Sequence, residues 1–123
     1  MKIMCVDDSP VFRKTIQKQL EALGHTKFVE HDNITDAANH LEQDSEIGLV
    51  ILDHHIPSGN GLDLLNWMRN HPSKRILEIP CVMLTGDADR DLPLQATESG
   101  ASGFMFKPVE LETLKNQLQR VMK

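Results

Sequence analysis

The sequence predicts an α/β fold, a five-stranded parallel sheet with five helices on both faces. Two observations carry this. Short apolar runs alternate with stretches whose apolar residues recur every three or four positions, and such alternation implies parallel strands joined by right-handed crossovers. The runs are also apolar at consecutive positions, the mark of strands covered on both faces. The length, 123 residues, suits one domain, read as 1–123.

Four runs read as buried strands: Ile3–Val6, Leu49–Leu52, Cys81–Leu84 and Phe104–Phe106. Thr26–Glu30 is more polar and suits a sheet edge. The first helix presents Phe12, Ile16, Leu20 and Leu23 on one face. Ser9-Pro10 starts it and Gly24 stops it. Ile34, Ala37, Ala38 and Leu41 repeat the pattern, as do Leu62, Leu65 and Met68 with Trp67 beside them. Leu111, Leu114, Leu118 and Val121 form the last helix. The helix before it contains Pro93. It either begins near Leu92, capped by Asp91, and runs to about Ser99, or follows an extended loop; the loop is the reading adopted.

Composition excludes several classes. Thirteen Lys and Arg against eighteen Asp and Glu leave a net charge of −5, which repels nucleic acid and anionic membrane. No apolar run approaches the roughly 20 residues of a bilayer span. The first residues, interrupted by Asp7 and Asp8, do not read as a signal peptide. A cytoplasmic chain is expected, with no direct nucleic-acid contact and no membrane insertion. Cys5 and Cys81 sit in separate apolar runs and read as reduced core thiols. The Asn33-Ile34-Thr35 sequon would then never meet the glycosylation machinery.

In open parallel sheets, function gathers beyond the carboxyl ends of the strands. Asp7-Asp8 follows the first run, Asp53 the third, Thr85-Gly86-Asp87 the fourth and Lys107-Pro108 the fifth. Asp53 and Lys107 directly abut apolar runs, where charges are rarely buried without partners. Three converging carboxylates repel one another, and some protonate unless a cation sits among them. Their oxygens suit Mg²⁺, with Mn²⁺ a second possibility. A carboxylate is also a nucleophile toward phosphorus, and phosphoryl transfer needs charge neutralisation that a divalent ion, an ammonium and a hydroxyl supply.

These residues resemble the receiver domain of two-component response regulators. The likeness rests on Asp7-Asp8, Asp53, Thr85-Gly86 and Lys107-Pro108 in order on alternating strands. The stretch Gly100 to Pro108, and Leu49 to Asp53 followed by Pro57 and Gly61, are especially close. It spans the whole chain and implies a flavodoxin- or CheY-like strand order of 2-1-3-4-5. By the resemblance, Asp53 is the phosphoacceptor. Asp8 and Asp53 bind Mg²⁺ directly, Asp7 acts largely through a metal-bound water, and His55 offers its backbone carbonyl. Lys107 pairs with Asp53 and then with the phosphoryl oxygens, the Lys107–Pro108 bond is cis, and Thr85 moves toward the phosphoryl group. Phe104 holds the switch position. The implied donor is a sensor histidine kinase or a histidine phosphotransfer protein. The implied reader is a downstream protein target, or an output domain absent from this chain, contacting the face of the fourth helix, fifth strand and fifth helix. The implied role is a signalling switch that catalyses only its own phosphoryl transfer and hydrolysis.

His55 and Asp87, two residues after Asp53 and Thr85, occupy positions that tune phosphoryl lifetime in the family; inert, solvated side chains are the alternative. Two rival functions stand beside the switch. One is a receiver-like interaction module that is never phosphorylated, against which the intact set of Asp7, Asp8, Asp53, Thr85 and Lys107 counts. The other is a metal-dependent phosphoesterase of the DHH type, suggested by Asp53-His54-His55. That class needs further Asp and His motifs, whereas His25, His31, His40 and His71 read as scattered surface residues.

Overall fold

The computed structural model describes residues 1–56, 59–86 and 92–122, with the side chains of Leu92 and Pro93 excepted. In chain order its elements are β1 (Lys2–Val6), α1 (Pro10–Ala22), β2 (Phe28–His31), α2 (Ile34–Gln43), β3 (Ile47–Asp53), β4 (His55–Ile56), β5 (Gly59–Asn60), α3 (Gly61–Arg69), α4 (Lys74–Leu77), β6 (Cys81–Thr85), α5 (Leu92–Glu98), β7 (Gly103–Phe106) and α6 (Leu111–Val121). Five strands form one parallel sheet in the order β2-β1-β3-β6-β7. Counting only those five along the chain, this is the expected 2-1-3-4-5.

Successive strand residues point to opposite faces, so each central strand feeds two cores. Ile3, Cys5, Leu49, Ile51, Val82 and Leu84 pack with Ile16 and Leu20 of α1 and Leu114 and Leu118 of α6. Met4, Val6, Val50, Leu52, Cys81 and Met83 pack on the other face with α2, α3, α4 and Ala96 of α5. This is why the runs are continuously apolar. Cys5 and Cys81 are free, buried thiols on opposite faces. Burial pushes the Cys81 thiol up to about 12 and raises that of Cys5 as well.

The helix ends follow local chemistry. Ser9 Oγ accepts the Phe12 N–H at 3.2 Å and caps α1. Asn60 and Asp63 form a capping box on α3. Gly24 and Gly100 end α1 and α5 with left-handed backbone, φ +92° and +97°. Helix α5 spans Leu92–Glu98, the short span of the first alternative; the cap of that alternative, Asp91, and the stretch the loop reading concerned lie outside the described residues.

Four expectations need correction. Six helices are present among the described residues rather than five, because α4 adds one turn anchored by Ile76 alone, too short to show a period. The two-residue strands β4 and β5 form a separate antiparallel ladder. The edge strand lies at Phe28–His31 rather than Thr26–Glu30. The buried face of α3 is Leu64, Leu65 and Met68, leaving Leu62 only half-buried.

No helix among the described residues is long and apolar enough to cross a membrane. One guanidinium staples the region after α3: Arg69 donates to the carbonyls of Gly100 (2.8 Å), Leu77 (2.9 Å) and Ile79 (2.8 Å). Arg69→Ala leaves these carbonyls without that donor and is expected to cost about 2–4 kcal/mol. A urea unfolding curve checks this; the midpoint falls while the slope stays unchanged.

Candidate functional site

The parallel sheet gathers its chemistry at one end because every strand terminates there. Asp7 follows β1 and is fully buried; Asp53 closes β3 at 4% exposure; Thr85 closes β6 fully buried. Asp8, next along, faces solvent. Lys107 follows β7, and its N–H donates to the Thr85 carbonyl at 2.7 Å, which carries the ladder one residue past the strand. The Lys107–Pro108 peptide bond is cis, as the resemblance implies.

The ammonium of Lys107 lies between the two buried carboxylates. Nζ is 2.6 Å from Asp7 Oδ2 and 3.3 Å from Asp53 Oδ2. The tighter pairing with Asp7 was not anticipated. Nζ also lies 4.1 Å from the centre of the Phe12 ring, a cation–π contact that steadies the charge from its apolar side. Asp7 is held at every polar atom. Its N–H donates to the His31 carbonyl (3.1 Å), its Oδ1 accepts from the Ser9 N–H (2.8 Å), and its carbonyl accepts from Arg13 Nη1 (2.6 Å). Arg13 is fixed in turn by Glu30 at 2.6 Å.

Asp7, Asp8 and Asp53 each bring a carboxylate oxygen within 4.8 Å of the others. Burial raises the Asp53 pKa above the ordinary carboxylate value, and the charge of Asp7 adds to the shift. Lys107 and the His55 backbone N–H work against it. Burial opposes the charge of Lys107, but hydrogen bonding and charge from Asp7 and Asp53 more than offset that and raise its pKa. An all-oxygen set of clustered carboxylates under mutual repulsion fits a hard divalent cation such as Mg²⁺.

Asp8, His54, His55, Ile56, Gly59 and Asn60 line a cavity of about 320 Å³ beside this cluster. The His55 side chain is exposed and that of His54 half-buried. Gly61 is buried where a Cβ would collide with the Asp53 carbonyl oxygen, so only glycine lets α3 start this close to the end of β3. Phe104, on β7, is half-buried against the Met83 core and meets the half-exposed Phe106 edge to face at 5.0 Å. Asp87 lies outside the described residues. Three supporting residues were not singled out by sequence. In the sequence Phe12 is one more residue of the apolar face of α1, Arg13 carries no signal beyond its charge, and Gly61 gives no sign of its contact with Asp53.

The family model described as the response regulator receiver domain matches residues 3–119. The chain belongs to the receiver domain family. Among its relatives, the chemotaxis protein CheY of Pseudomonas aeruginosa is 31% identical, the alignment covering 98% of this chain and 95% of that protein. The chemotaxis protein CheY1 of Helicobacter pylori is 30% identical over 99% and 97%. The solved chemotaxis response regulator CheY4 of Vibrio cholerae superposes with a TM-score of 0.86 at 25% identity, over 98% of this chain and 97% of that one. A response regulator receiver protein from Pseudomonas putida gives 0.84 at 28% identity, over 96% and 94%. This receiver domain is CheY-like, with a role in phosphorelay signalling, and neither the unphosphorylated-module nor the phosphoesterase reading is favoured.

The raised Asp53 pKa sets a pH dependence. A carboxyl group whose folded pKa exceeds its unfolded value destabilises the fold while ionised, and that penalty disappears as pH falls through the folded and then the unfolded value. Without divalent cations, Asp53→Asn is therefore expected to melt above the wild type at neutral pH. Thermal melts from pH 7 downward should show the advantage shrinking and gone below the unfolded value of 3.8. An advantage that persists at low pH would rule out the charge as its cause.

Proposed function

We propose that the chain acts as one receiver domain over residues 1–123, with Asp53 as phosphoacceptor. The observation that carries this reading is the ammonium of Lys107 between Asp7 and Asp53, beside a third carboxylate, at the strand ends. An Asp53 carboxylate oxygen attacks phosphorus and forms the new P–O bond. The P–N bond of a phosphohistidine donor breaks, and the imidazole leaves with the electron pair and takes up a proton. The donor is a sensor histidine kinase or a histidine phosphotransfer protein.

Asp8 and Asp53 hold Mg²⁺ directly, together with the His55 backbone carbonyl. Asp7, whose carboxylate is already engaged by Ser9 and Lys107, acts through water. When bound, the ion neutralises charge on the phosphoryl oxygens. Lys107 shifts its contact from the Asp53 carboxylate to the new phosphoryl oxygens, and the Thr85 hydroxyl donates to them. Phosphorylation adds about −1.5 to −2 charges and three acceptor oxygens. Contacts made only in that state shift the balance between two conformations. Phe104 follows Thr85, and the change is read by a downstream protein on the face of α5, β7 and α6, where Phe106 and Leu111 are exposed. Hydrolysis by the domain itself resets the switch, with His55 and Asp87 setting the lifetime. The chain acts in the cytoplasm.

Intact-mass spectrometry after incubation with acetyl phosphate and Mg²⁺ tests the reading. The expected result is a labile gain of one phosphoryl group that is lost with EDTA and in Asp53→Asn. Asp8→Asn is expected to weaken Mg²⁺ binding by on the order of tenfold or more, since it removes a direct charged ligand. No gain with acetyl phosphate, and no beryllofluoride binding either, would refute phosphoacceptance and return the domain to an interaction role.

A further inference from the structure

We propose that His31 and His40 form a second metal site, which takes a divalent transition ion of the zinc type through two imidazole nitrogens. The sequence reading left these residues among the scattered surface histidines. The structure instead brings them together, half-buried, at the end of β2 and on α2. His31 Nε2 and His40 Nδ1 face each other at 2.7 Å, with the rings edge to face and centroids 4.9 Å apart.

Hydrogen-bond logic fixes the tautomers. His40 Nε2 lies 3.1 Å from Asp44 Oδ2. Asp44 also accepts from Lys2 Nζ at 2.8 Å and from the Glu46 N–H at 3.0 Å. The Lys2 bond, followed by those from Glu46 and His40, holds its carboxyl well below the usual range, so Asp44 is a carboxylate and only accepts. His40 Nε2 therefore carries the proton, and its Nδ1 presents a lone pair toward His31. A carboxylate fixing one ring nitrogen so that the other is aimed outward is how proteins orient metal-ligating histidines. Here the carboxylate is itself anchored, and the position opposite is a second imidazole rather than an apolar wall.

His31, Asp36, Asn39, His40, Gln43 and Asp44 line a surface cavity of about 510 Å³, which leaves room for water to complete the coordination beside the two imidazoles. Zinc–nitrogen bonds of about 2.0–2.1 Å place two tetrahedral ligand nitrogens roughly 3.3 Å apart. From 2.7 Å the rings must part by roughly 0.6 Å and tilt, a small movement for half-buried side chains. On binding, the proton on His31 Nε2 transfers to its Nδ1. That exchange stays within the His31 ring, so it releases no net proton. The donors are borderline imidazole nitrogens, which suit zinc-type ions, whereas Asp7, Asp8 and Asp53 offer only hard oxygen, so the two sites select different ions.

The test is calorimetric titration of the full chain with Zn²⁺ in excess Mg²⁺, which keeps the carboxylate cluster occupied. One equivalent is expected to bind, with an enthalpy at about pH 8 that does not vary with the ionisation heat of the buffer. His31→Asn and His40→Asn should each weaken binding at least about tenfold, and Asp44→Asn by about tenfold through the lost orientation of His40. Zn²⁺ should also move the ring ¹⁵N resonances of His31 and His40 in the unaltered protein, a readout that needs no substitution. Unchanged affinity in variants that melt like the wild type would overturn the proposal. So would ring shifts confined to the neighbouring pair His54 and His55, whose rings lie 4.6 Å apart.

Discussion

One ammonium holds the functional end of the sheet together. Asp7 and Asp53 are buried and lie within 4.8 Å of each other and of Asp8. At an effective dielectric of about 20, two unit charges at that distance repel by roughly 3 kcal/mol. Coulomb energy falls as 1/r, and Lys107 Nζ makes two attractive contacts against that one repulsion, at 2.6 and 3.3 Å. Attraction therefore exceeds repulsion, but only while the ammonium stays in place. The Phe12 ring below it and the ladder bond from the Lys107 N–H to Thr85 keep it there.

The two carboxylates are not equivalent, and the difference lies in how many bonds each keeps. Asp7 is tied through its N–H, its carbonyl and both side-chain oxygens to His31, Arg13, Ser9 and Lys107. Asp53 meets Lys107 at the longer distance, and burial first, then the charge of Asp7, raise its pKa. A fixed anion thus anchors the ammonium, and a buried, less fully bonded one lies beside Asp8. A carboxylate that gains from a cation or from added acceptor oxygens nearby is suited to chemistry; one with every atom bonded is suited to support.

Much of this was legible along the chain. Continuous apolar runs ending in Asp7, Asp53, Thr85 and Lys107 located both the sheet and the cluster, because parallel strands that share a direction must end on the same side. What stayed hidden needed the third dimension. Phe12 looks like any apolar helix residue until Lys107 lies over it. The contact of Gly61 with the Asp53 carbonyl depends on how tightly the chain turns after β3. Helix α4 has one buried anchor, Ile76, and one turn has no period to detect. His31 and His40 are nine residues apart, separated by a strand end and a capped helix start, so no helical or strand spacing pairs them.

The histidine pair and the carboxylate cluster meet at one backbone bond, the Asp7 N–H to the His31 carbonyl. Both depend on β2 lying in register beside β1, with His31 opposite Val6. The same edge strand supplies Glu30, which orients Arg13 toward the Asp7 carbonyl. The weakest strand by composition thus braces the most strongly held acid of the site. Its polar character follows from that position: a strand at the sheet edge buries little apolar surface, and its outward residues are free to reach around the end of β1 and hold Asp7 from behind.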